Sequence, residues 1–332
     1  MQKILVIQTA FIGDVVLATA IVEMLAQFYP VAQLHFLVRK GNETLLQNNP
    51  HIHTTLVWNK KENKIRNLFG VLQQIRKNRY EKVINLQRFF ATGLLTALSG
   101  GIETIGFNKN PLSFLFSKKI PHIISENGRP KHEIERNNDL IKAFTDEVFN
   151  LPKLYPSTDD YAIALNYRVE HYVTMTPSSV WFTKQYPVDK WVDLINCFPN
   201  NYTIYLLGGK DNIAECELIK AKVTNTMVEV LAGKLSFLQS AALMNTASMN
   251  YVNDSAPLHF ASAMNAPVTA IFCSTVKDFG FTPLSDKSYI IETAEVLPCR
   301  PCGLHGKKAC PEKHFKCAMG IHTQQLLQTL NT

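Results

Sequence analysis

Three stretches of this sequence combine residue types whose spacing could do chemistry. Thr9-Ala10-Phe11-Ile12-Gly13-Asp14 leaves an apolar run and enters a helical pattern. Gly13 lets the chain turn tightly and delivers Asp14 to the mouth of a cleft, where a carboxylate could take a proton from an attacking hydroxyl. An Asp beside a helix start is also the ordinary cap or dipole partner of that helix. Pro177-Ser178-Ser179 follows a second apolar run, with Lys184 and the pair Tyr186-Pro187 just beyond. Hydroxyls and backbone amides at such a turn can hold phosphate oxygens, and a lysine supplies a point charge for a departing diphosphate. Taken alone, the same residues read as surface polarity.

The third stretch is Asn253-Asp254-Ser255-Ala256-Pro257-Leu258-His259. A Pro near a helix start leaves first-turn amides facing outward, where the helix dipole favours a phosphate, and His259 falls close enough to touch the same anion. A capped helix with a buried histidine is the alternative. A fourth constellation, Cys299-Arg300-Pro301-Cys302 followed by Cys310 and Cys317, has the composition of a tetrahedral thiolate site. It is either a structural zinc site or a set of reduced or buried thiols, since the second pair lacks the tight spacing usual for zinc.

The elements that must position these residues alternate along the chain. In the first half, β-rich runs at 4–7, 34–38, 54–57 and 83–86 are interleaved with helical patterns such as 15–25. The alternation implies βαβ units and a parallel sheet. It thins over 151–160, where two prolines and a Ser-Thr-Asp-Asp run read as a linker, with Asp159 and Asp160 in a solvated turn. The scheme then starts afresh, with strands at 172–175, 202–207, 227–231, 249–252 and 268–272 and helices at 188–198, 212–223, 235–244 and 257–264. Two doubly wound α/β lobes follow, covering 1–155 and 160–322, with ligands expected at the carboxyl ends of the strands in the cleft between them. A closing helix within 323–332 is too short to be a domain and is expected to pack back on the first lobe.

Bulk properties narrow the function classes. A chain of 332 residues with 46% hydrophobic residues fills two cores, and no run approaches the ~18 apolar residues of a membrane span. The apolar stretch 3–28 is broken by Gly13 and Asp14 and has no small-residue cleavage site, so it reads as strand, loop and helix rather than a signal sequence. Seven cysteines, an odd number, point to a reducing compartment, hence the cytoplasm. The net charge of +7 gathers in the first half, at Lys60, Lys61, Lys64 and Arg66, at Arg76, Lys77 and Arg79, and at Lys118, Lys119, Arg129 and Lys131. Those clusters are either solvated surface or the footprint of an anionic partner. Nothing suggests nucleic acid.

Taken in order, Phe11-Ile12-Gly13-Asp14, Ser179 with Lys184 and Pro187, Leu206-Leu207-Gly208-Gly209, Leu231-Ala232-Gly233-Lys234-Leu235-Ser236, and Asp254-Ser255 with His259, then Phe272 and Thr275, resemble glycosyltransferase family 9. This is the family of ADP-heptose:lipopolysaccharide heptosyltransferases. The resemblance implies a GT-B fold of two Rossmann-like domains, an acceptor-binding one first and a nucleotide-sugar-binding one second. It implies inversion at the anomeric carbon with no catalytic metal, and a heptose moved from ADP-heptose to a lipopolysaccharide core or lipid A acceptor.

By motif, Asp14 corresponds to the general base and Lys184 to the residue stabilising the donor's diphosphate and sugar. Ser178 and Ser179 resemble the phosphate-binding hydroxyl pair. Asp254 corresponds to the residue on the sugar hydroxyls, with Ser255, Ala256 and His259 around the phosphates. Ala256 stands where the family usually has Gly. Leu235 falls where adenine packs, Gly208 and Gly209 belong to the donor turn, and Asp211 or Glu215 is placed at the ribose. The implied partners are a nucleotide-sugar donor and an anionic lipid-linked oligosaccharide, with peripheral contact on the cytoplasmic face of the inner membrane.

Rival readings are a transferase with another nucleotide sugar or another surface-glycan acceptor, and a non-catalytic two-lobed binding protein. The binding protein needs neither Asp14 nor the phosphate cluster and is usually exported. A nucleotide-sugar epimerase is disfavoured because the opening loop lacks Gly-x-Gly-x-x-Gly. Metal-dependent transfer would need a carboxylate pair near the diphosphate.

Overall fold

The computed structural model describes residues 2–225 and 227–330. It divides into two compact units, Met1–Tyr155 and Pro156–Thr332. In the first unit the chain runs β1 (Lys3–Ile7), α1 (Ile12–Phe28), β2 (Gln33–Arg39), β3 (Ile52–Trp58), α2 (Lys64–Asn78), β4 (Lys82–Asn85), α3 (Phe90–Ala97), β5 (Glu103–Phe107) and β6 (Lys118–Ile120). A two-residue-per-strand hairpin, β7 (Ser125–Glu126) and β8 (Arg129–Pro130), and α4 (Glu133–Asn138) follow. The sheet order is β3-β2-β1-β4-β5-β6, all parallel. The hairpin turns on Asn127 and Gly128, both at positive φ, as a two-residue loop of primed type demands.

The Lys3–Ile7 strand is a continuous apolar run because a parallel strand is covered on both faces. The α1 helix is apolar nearly all round, with every residue from Val15 to Leu25 buried, which marks a helix inside a core. Elsewhere in the unit Leu5, Ile7, Leu37, Trp58 and Val83 of the sheet form a buried cluster with Leu68, Val71, Leu72 and Ile75 of α2.

The second unit runs α5 (Thr158–Leu165), β9 (Tyr172–Thr176), α6 (Val188–Asn196), β10 (Thr203–Leu206), α7 (Ile213–Lys222), β11 (Val228–Val230), α8 (Phe237–Asn245), β12 (Met249–Asn253), α9 (Ala256–Ala263), β13 (Val268–Phe272), β14 (Ser288–Glu292), α10 (Lys316–Met319) and α11 (Thr323–Gln328). Its sheet order, β11-β10-β9-β12-β13-β14, repeats that of the first unit strand for strand. Each sheet reverses direction of winding once, between β1 and β4 in the first and between β9 and β12 in the second. At such a switch point the connections diverge to opposite faces and leave a crevice beyond the strand ends.

One sequence expectation is corrected. Asp159 and Asp160 are not a solvated turn, because Ser157 caps α5 and the Asp160 carboxylate returns to the Ser157 amide at 2.8 Å. The closing helix contributes to the second unit's core. Leu326 of α11 is buried in the second unit's core with Trp191, Leu194 and Tyr251, and the Tyr251 hydroxyl donates to the Leu326 carbonyl. Residues 331–332 of that stretch lie outside the described residues.

Candidate functional site

The loop after β1 is tied down by a buried polar network. Gln87, beyond β4, donates from Nε2 to Gln8 Oε1, and Gln8 Oε1 also accepts from the Ala10 amide. Thr9 Oγ1 donates to Gln87 Oε1 at 3.2 Å, and Asn42 donates to the Ala10 carbonyl at 3.1 Å. The loop is therefore fixed from the ends of both neighbours of β1, namely β4 and β2. Asp14 sits at the third position of α1 rather than in the loop itself, and its Oδ2 accepts from the Phe11 amide at 3.1 Å, capping that amide at the helix start. The ordinary capping role foreseen for this residue is thus present.

Capping alone would lower the carboxyl's pKa, since amides and the helix dipole favour its charged form. Instead burial, and after it the negative charge of Glu133, push it up to about 6, against the lowering pull of the Phe11 amide and Arg39. A carboxylate near pKa 6 is ionised at neutral pH and still a useful proton acceptor, the condition for general-base work. Arg39 lies over the Phe11 ring at 5.1 Å to the centroid.

The basic residues of this unit are not placed as charge alone suggested. Lys60 is not a solvated lysine. Its Nζ donates to the Thr9 carbonyl at 2.8 Å and to Thr9 Oγ1 at 2.9 Å, over the Trp58 ring. Burial, then the charges of Arg39 and Lys64, push its pKa down to about 8. Lys118 pairs with Glu103, Arg129 with Glu135, and Lys131 with Asp139 and Glu126, so much of that cluster is neutralised. A different set of cations follows the strands at their carboxyl ends: Arg39 closes β2, Lys60 follows β3, Arg88 follows β4 and Lys109 follows β5. Arg88, Lys109 and Arg136 all act on His122, beyond β6; burial first and then these charges push its pKa down to about 4.

In the second unit the switch point gathers Lys184, Asp254 and Thr275. Lys184 Nζ lies 2.7 Å from Asp254 Oδ2, and Thr275 Oγ1 donates to the same oxygen at 2.6 Å. Lys184 is 15% and Asp254 8% exposed, a pair mostly withdrawn from water yet open on one side. Asn253 sets the geometry beneath it. Its Oδ1 accepts from the Tyr186 amide at 2.9 Å and its Nδ2 donates to the Pro177 carbonyl at 2.5 Å, so β12 holds both the Ser178 turn and the Lys184 turn. Ser178 is buried and donates to Glu215, bringing together the residues assigned to phosphate and to ribose. The Ser179 carbonyl accepts from Gln185.

Three serines in this unit begin helices, and they differ. Ser157 and Ser236 each accept from an amide of their own first turn. Ser255, at the start of α9, does not; its hydroxyl donates to the Asn253 carbonyl at 3.3 Å, and Pro257 in the first turn has no N–H. That helix start, beside Asp254, is left without a side-chain cap, the arrangement that receives an anion elsewhere. Ala256 opens the helix, and His259 is buried one turn in, its ring 6.3 Å from Phe281. The buried histidine and the open helix start thus coexist.

Gly208 and Gly233 meet through the Gly233 amide and Gly208 carbonyl at 2.8 Å. Gly233 has φ +75°, and a Cβ there would sit 2.9 Å from Ile213, so only glycine fits. Gly209 and Asp211 are exposed on the turn into α7, and Leu235 is half-buried before α8.

All seven cysteines are free thiols. Cys299, Cys302, Cys310 and Cys317 line one pocket with His314, and Cys299 Sγ lies 3.9 Å from His314 Nε2. Among the described residues no group of three or more His, Cys, Asp or Glu is placed to hold a metal ion. Burial pushes the Cys317 thiol up to about 11. Sequence alone assigns no role to Thr275, Thr183 or Arg300. Thr275 was visible only as part of a motif, and the other two carry no pattern of their own.

Two parallel sheets of the same doubly wound order give the chain the GT-B fold. The comparisons make the class specific. The family model of glycosyltransferase family 9 (heptosyltransferase) matches residues 68–314, and the chain belongs to that family. It is 26% identical to lipopolysaccharide heptosyltransferase 3 of Escherichia coli (strain K12), over 79% of this chain and 80% of that one. Among solved structures it is similar to the ADP-heptose lps heptosyltransferase II of E. coli, with TM-score 0.81 at 20% identity over 99% and 98% of the two chains. It also resembles a family 9 glycosyl transferase from Veillonella parvula, with TM-score 0.86 at 18% identity over 99% and 96%. The protein is a glycosyltransferase. No helix among the described residues is long and apolar enough to cross a membrane.

Proposed function

We propose that this chain transfers a heptose from ADP-heptose to a lipopolysaccharide core acceptor with inversion at the anomeric carbon. The acceptor hydroxyl oxygen forms the new bond to that carbon as the bond to the diphosphate oxygen breaks. Asp14 takes the hydroxyl proton, and ADP leaves with the bonding electron pair. The observation that carries this reading is the pair of matching switch points. One holds a carboxylate kept basic by burial; the other holds an ammonium, a carboxylate and an uncapped helix start suited to a diphosphate. Lys184 then meets the charge that grows on the leaving diphosphate, where preorganised donors act most strongly. Asp254 keeps Lys184 in place and offers its carboxylate to sugar hydroxyls. Ser178, Ser179, Ser255, Ala256 and His259 surround the phosphates, while Leu235 packs the base and Asp211 or Glu215 takes the ribose.

The second unit would therefore bind the donor and the first the acceptor. The cations that follow strand after strand in the first unit suit an acceptor bearing phosphate or carboxylate groups, and a lipid-linked acceptor would bring the enzyme to the cytoplasmic face of the inner membrane. Cys299, Cys302, Cys310 and Cys317 would have to draw together to take a structural zinc, which elemental analysis of the purified protein decides. The donor is tested by thermal shift with ADP, UDP and GDP, since a ligand of the native state raises the melting temperature. Stabilisation by ADP well beyond the other two is expected; a preference for UDP would overturn the donor assignment.

A further inference from the structure

The segment carrying Cys299 to Lys307 is bonded to both turns that hold the Lys184–Asp254 pair. Arg300 Nη2 donates to the Thr275 carbonyl at 2.7 Å, the Phe272 carbonyl at 3.1 Å and Glu292 at 2.6 Å. It thus pins the end of β13, from which Thr275 reaches Asp254 Oδ2. The Cys302 amide donates to the Ser274 carbonyl at 2.9 Å, and Ser274 Oγ donates to Thr183 Oγ1 at 3.0 Å. Further along, the Lys307 amide donates to Thr183 Oγ1 at 2.8 Å, and the Thr183 amide donates back to the Lys307 carbonyl at 3.1 Å. Gly306, at φ +79°, lies so close that a Cβ would meet both Lys184 Cγ and Thr183 Oγ1 at 3.0 Å. Arg300, Thr183 and Thr275 are held by bonds to one another's turns, and their bonds converge on the two neighbours of the donor-side pair.

We propose that this strap positions the catalytic pair: Arg300 acts through Thr275 on Asp254, and Gly306 and Lys307 act through Thr183 on Lys184. These are positioning residues, since none is assigned to the substrate. The proposal rests on the reading that Lys184 meets the diphosphate, and it adds that the angle and reach of that ammonium are set from the cysteine-rich segment. Its basis is the sharing of one carboxylate oxygen. With Lys184 and Thr275 both on Asp254 Oδ2, a shift of Thr275 moves the acceptor to which the ammonium is tethered. Displacements of about 1 Å at a reacting centre can cost about 10²-fold in rate.

The experiment uses the full-length protein with Arg300→Ala, Arg300→Lys, Gly306→Ala and Lys184→Ala, each alone, and with Arg300→Ala combined with Lys184→Ala. Turnover, donor KM, ADP affinity by calorimetry and melting temperature are measured for each. Arg300→Ala is expected to lower kcat by about 10-fold or more, with ADP affinity changed less than kcat. Arg300→Lys should recover part of the loss, because an ammonium reaches some of the same acceptors without the planar fork. Gly306→Ala, which adds a single methyl against Lys184, should likewise depress kcat. In the Lys184→Ala background Arg300→Ala should add little, because neighbours acting through one group are not additive.

A purely structural strap would lower the melting temperature while the folded enzyme kept its kcat. That result for Arg300→Ala and Gly306→Ala, beside a crippled Lys184→Ala, overturns the proposal alone, as does full additivity in the double variant. Normal turnover of Lys184→Ala overturns the underlying reading of the lysine and this proposal with it.

Discussion

The two switch points occupy the same place in sheets of the same strand order, yet they treat an aspartate in opposite ways. Among the described residues Asp14 shares its oxygens with no lysine or arginine at bonding distance; it caps its own helix while burial and Glu133 raise its pKa to about 6. Asp254 gives one oxygen to both an ammonium and a hydroxyl. A carboxylate oxygen already engaged by two donors is committed to orienting them rather than to meeting a substrate proton. The fold supplies two equivalent ledges, and the partners of each carboxylate decide whether it can act as base or as binder. In the first unit the cation that acts on the base, Arg39, lies over the Phe11 ring, and Lys60 is turned onto Thr9.

The comparison breaks most severely at Asp14. Asp14→Asn keeps a capping oxygen but cannot accept the proton, and a general base contributes about 10²- to 10⁴-fold. Turnover should fall by that factor with ADP affinity unchanged. Near-normal turnover would end the base assignment. The same substitution should alter stability with a definite sign. A carboxyl whose folded pKa lies above its usual value of 3.8 stabilises the fold most when protonated, below the unfolded pKa, and loses that contribution as pH rises through about 6. Asp14→Asn should therefore melt higher than the parent at pH 7.5, and the advantage should shrink as the pH falls to 4. An advantage that grew on acidification would show that the carboxylate is stabilised, not strained, at this site.

Next in size is the donor-side lysine. Lys184→Ala removes the charge and leaves the Asp254 carboxylate partly uncompensated; a loss of about 10²-fold in kcat is expected, from the cost of deleting one preorganised donor. Turnover should persist in excess EDTA. A requirement for added magnesium would mean that the diphosphate charge is met by something other than these side chains. A smaller effect, and one that separates the two aspartates, is the pH dependence of kcat/KM. On its acid limb it should fall about tenfold per pH unit below about 6. In the same range ADP affinity should be flat with respect to Asp14. A limb that survives Asp14→Asn would assign the titration to another group.

Most of the architecture was legible where strands are buried on both faces, because those give unbroken apolar runs. The strand Val268–Phe272 could be read to the residue. The β14 strand could not, since all five of its residues are only half-buried and it shows neither an apolar run nor clean alternation. Nor could β5, interrupted by Gly106. The α5 helix was hidden by its own cap. Ser157-Thr158-Asp159-Asp160 looks like a turn in composition, although the spacing from Ser157 to Asp160 is that of a capping box.

For the site, the motifs located Asp14, Lys184 and Asp254, but not what they touch. Whether a lysine is solvated depends on contacts far away in sequence, as with Lys60 on Thr9. Thr183 and Arg300 act by bonds spanning more than twenty residues, and no local pattern announces them.

The smallest expected effect concerns the acceptor, and here the structure changes which residues should matter. Sequence clustering pointed to Lys60, Lys61 and Lys64, and to Lys118, Lys119 and Lys131, as a field drawing an anionic acceptor. Lys60 is anchored on the Thr9 loop, and Lys118 and Lys131 already have carboxylate partners, so their field at a distance is largely cancelled. Arg88 and Lys109, by contrast, act beside neutral His122 at the strand ends, and Lys109 is exposed. Steering of this kind is screened over about 8 Å at physiological salt, so it should appear as a salt-dependent acceptor KM with little change in salt-saturated turnover. Arg88→Gln with Lys109→Gln should raise the acceptor KM several-fold at low salt and flatten its salt dependence, while Lys118→Gln with Lys131→Gln should change it little. Lys60→Gln should behave differently from both, lowering kcat rather than the salt slope, because it frees the loop that presents Asp14. If the Arg88 and Lys109 pair proves silent and the Lys118 and Lys131 pair sets the salt slope, the acceptor approaches from the surface the ion pairs occupy, and the strand-end cations serve the fold alone.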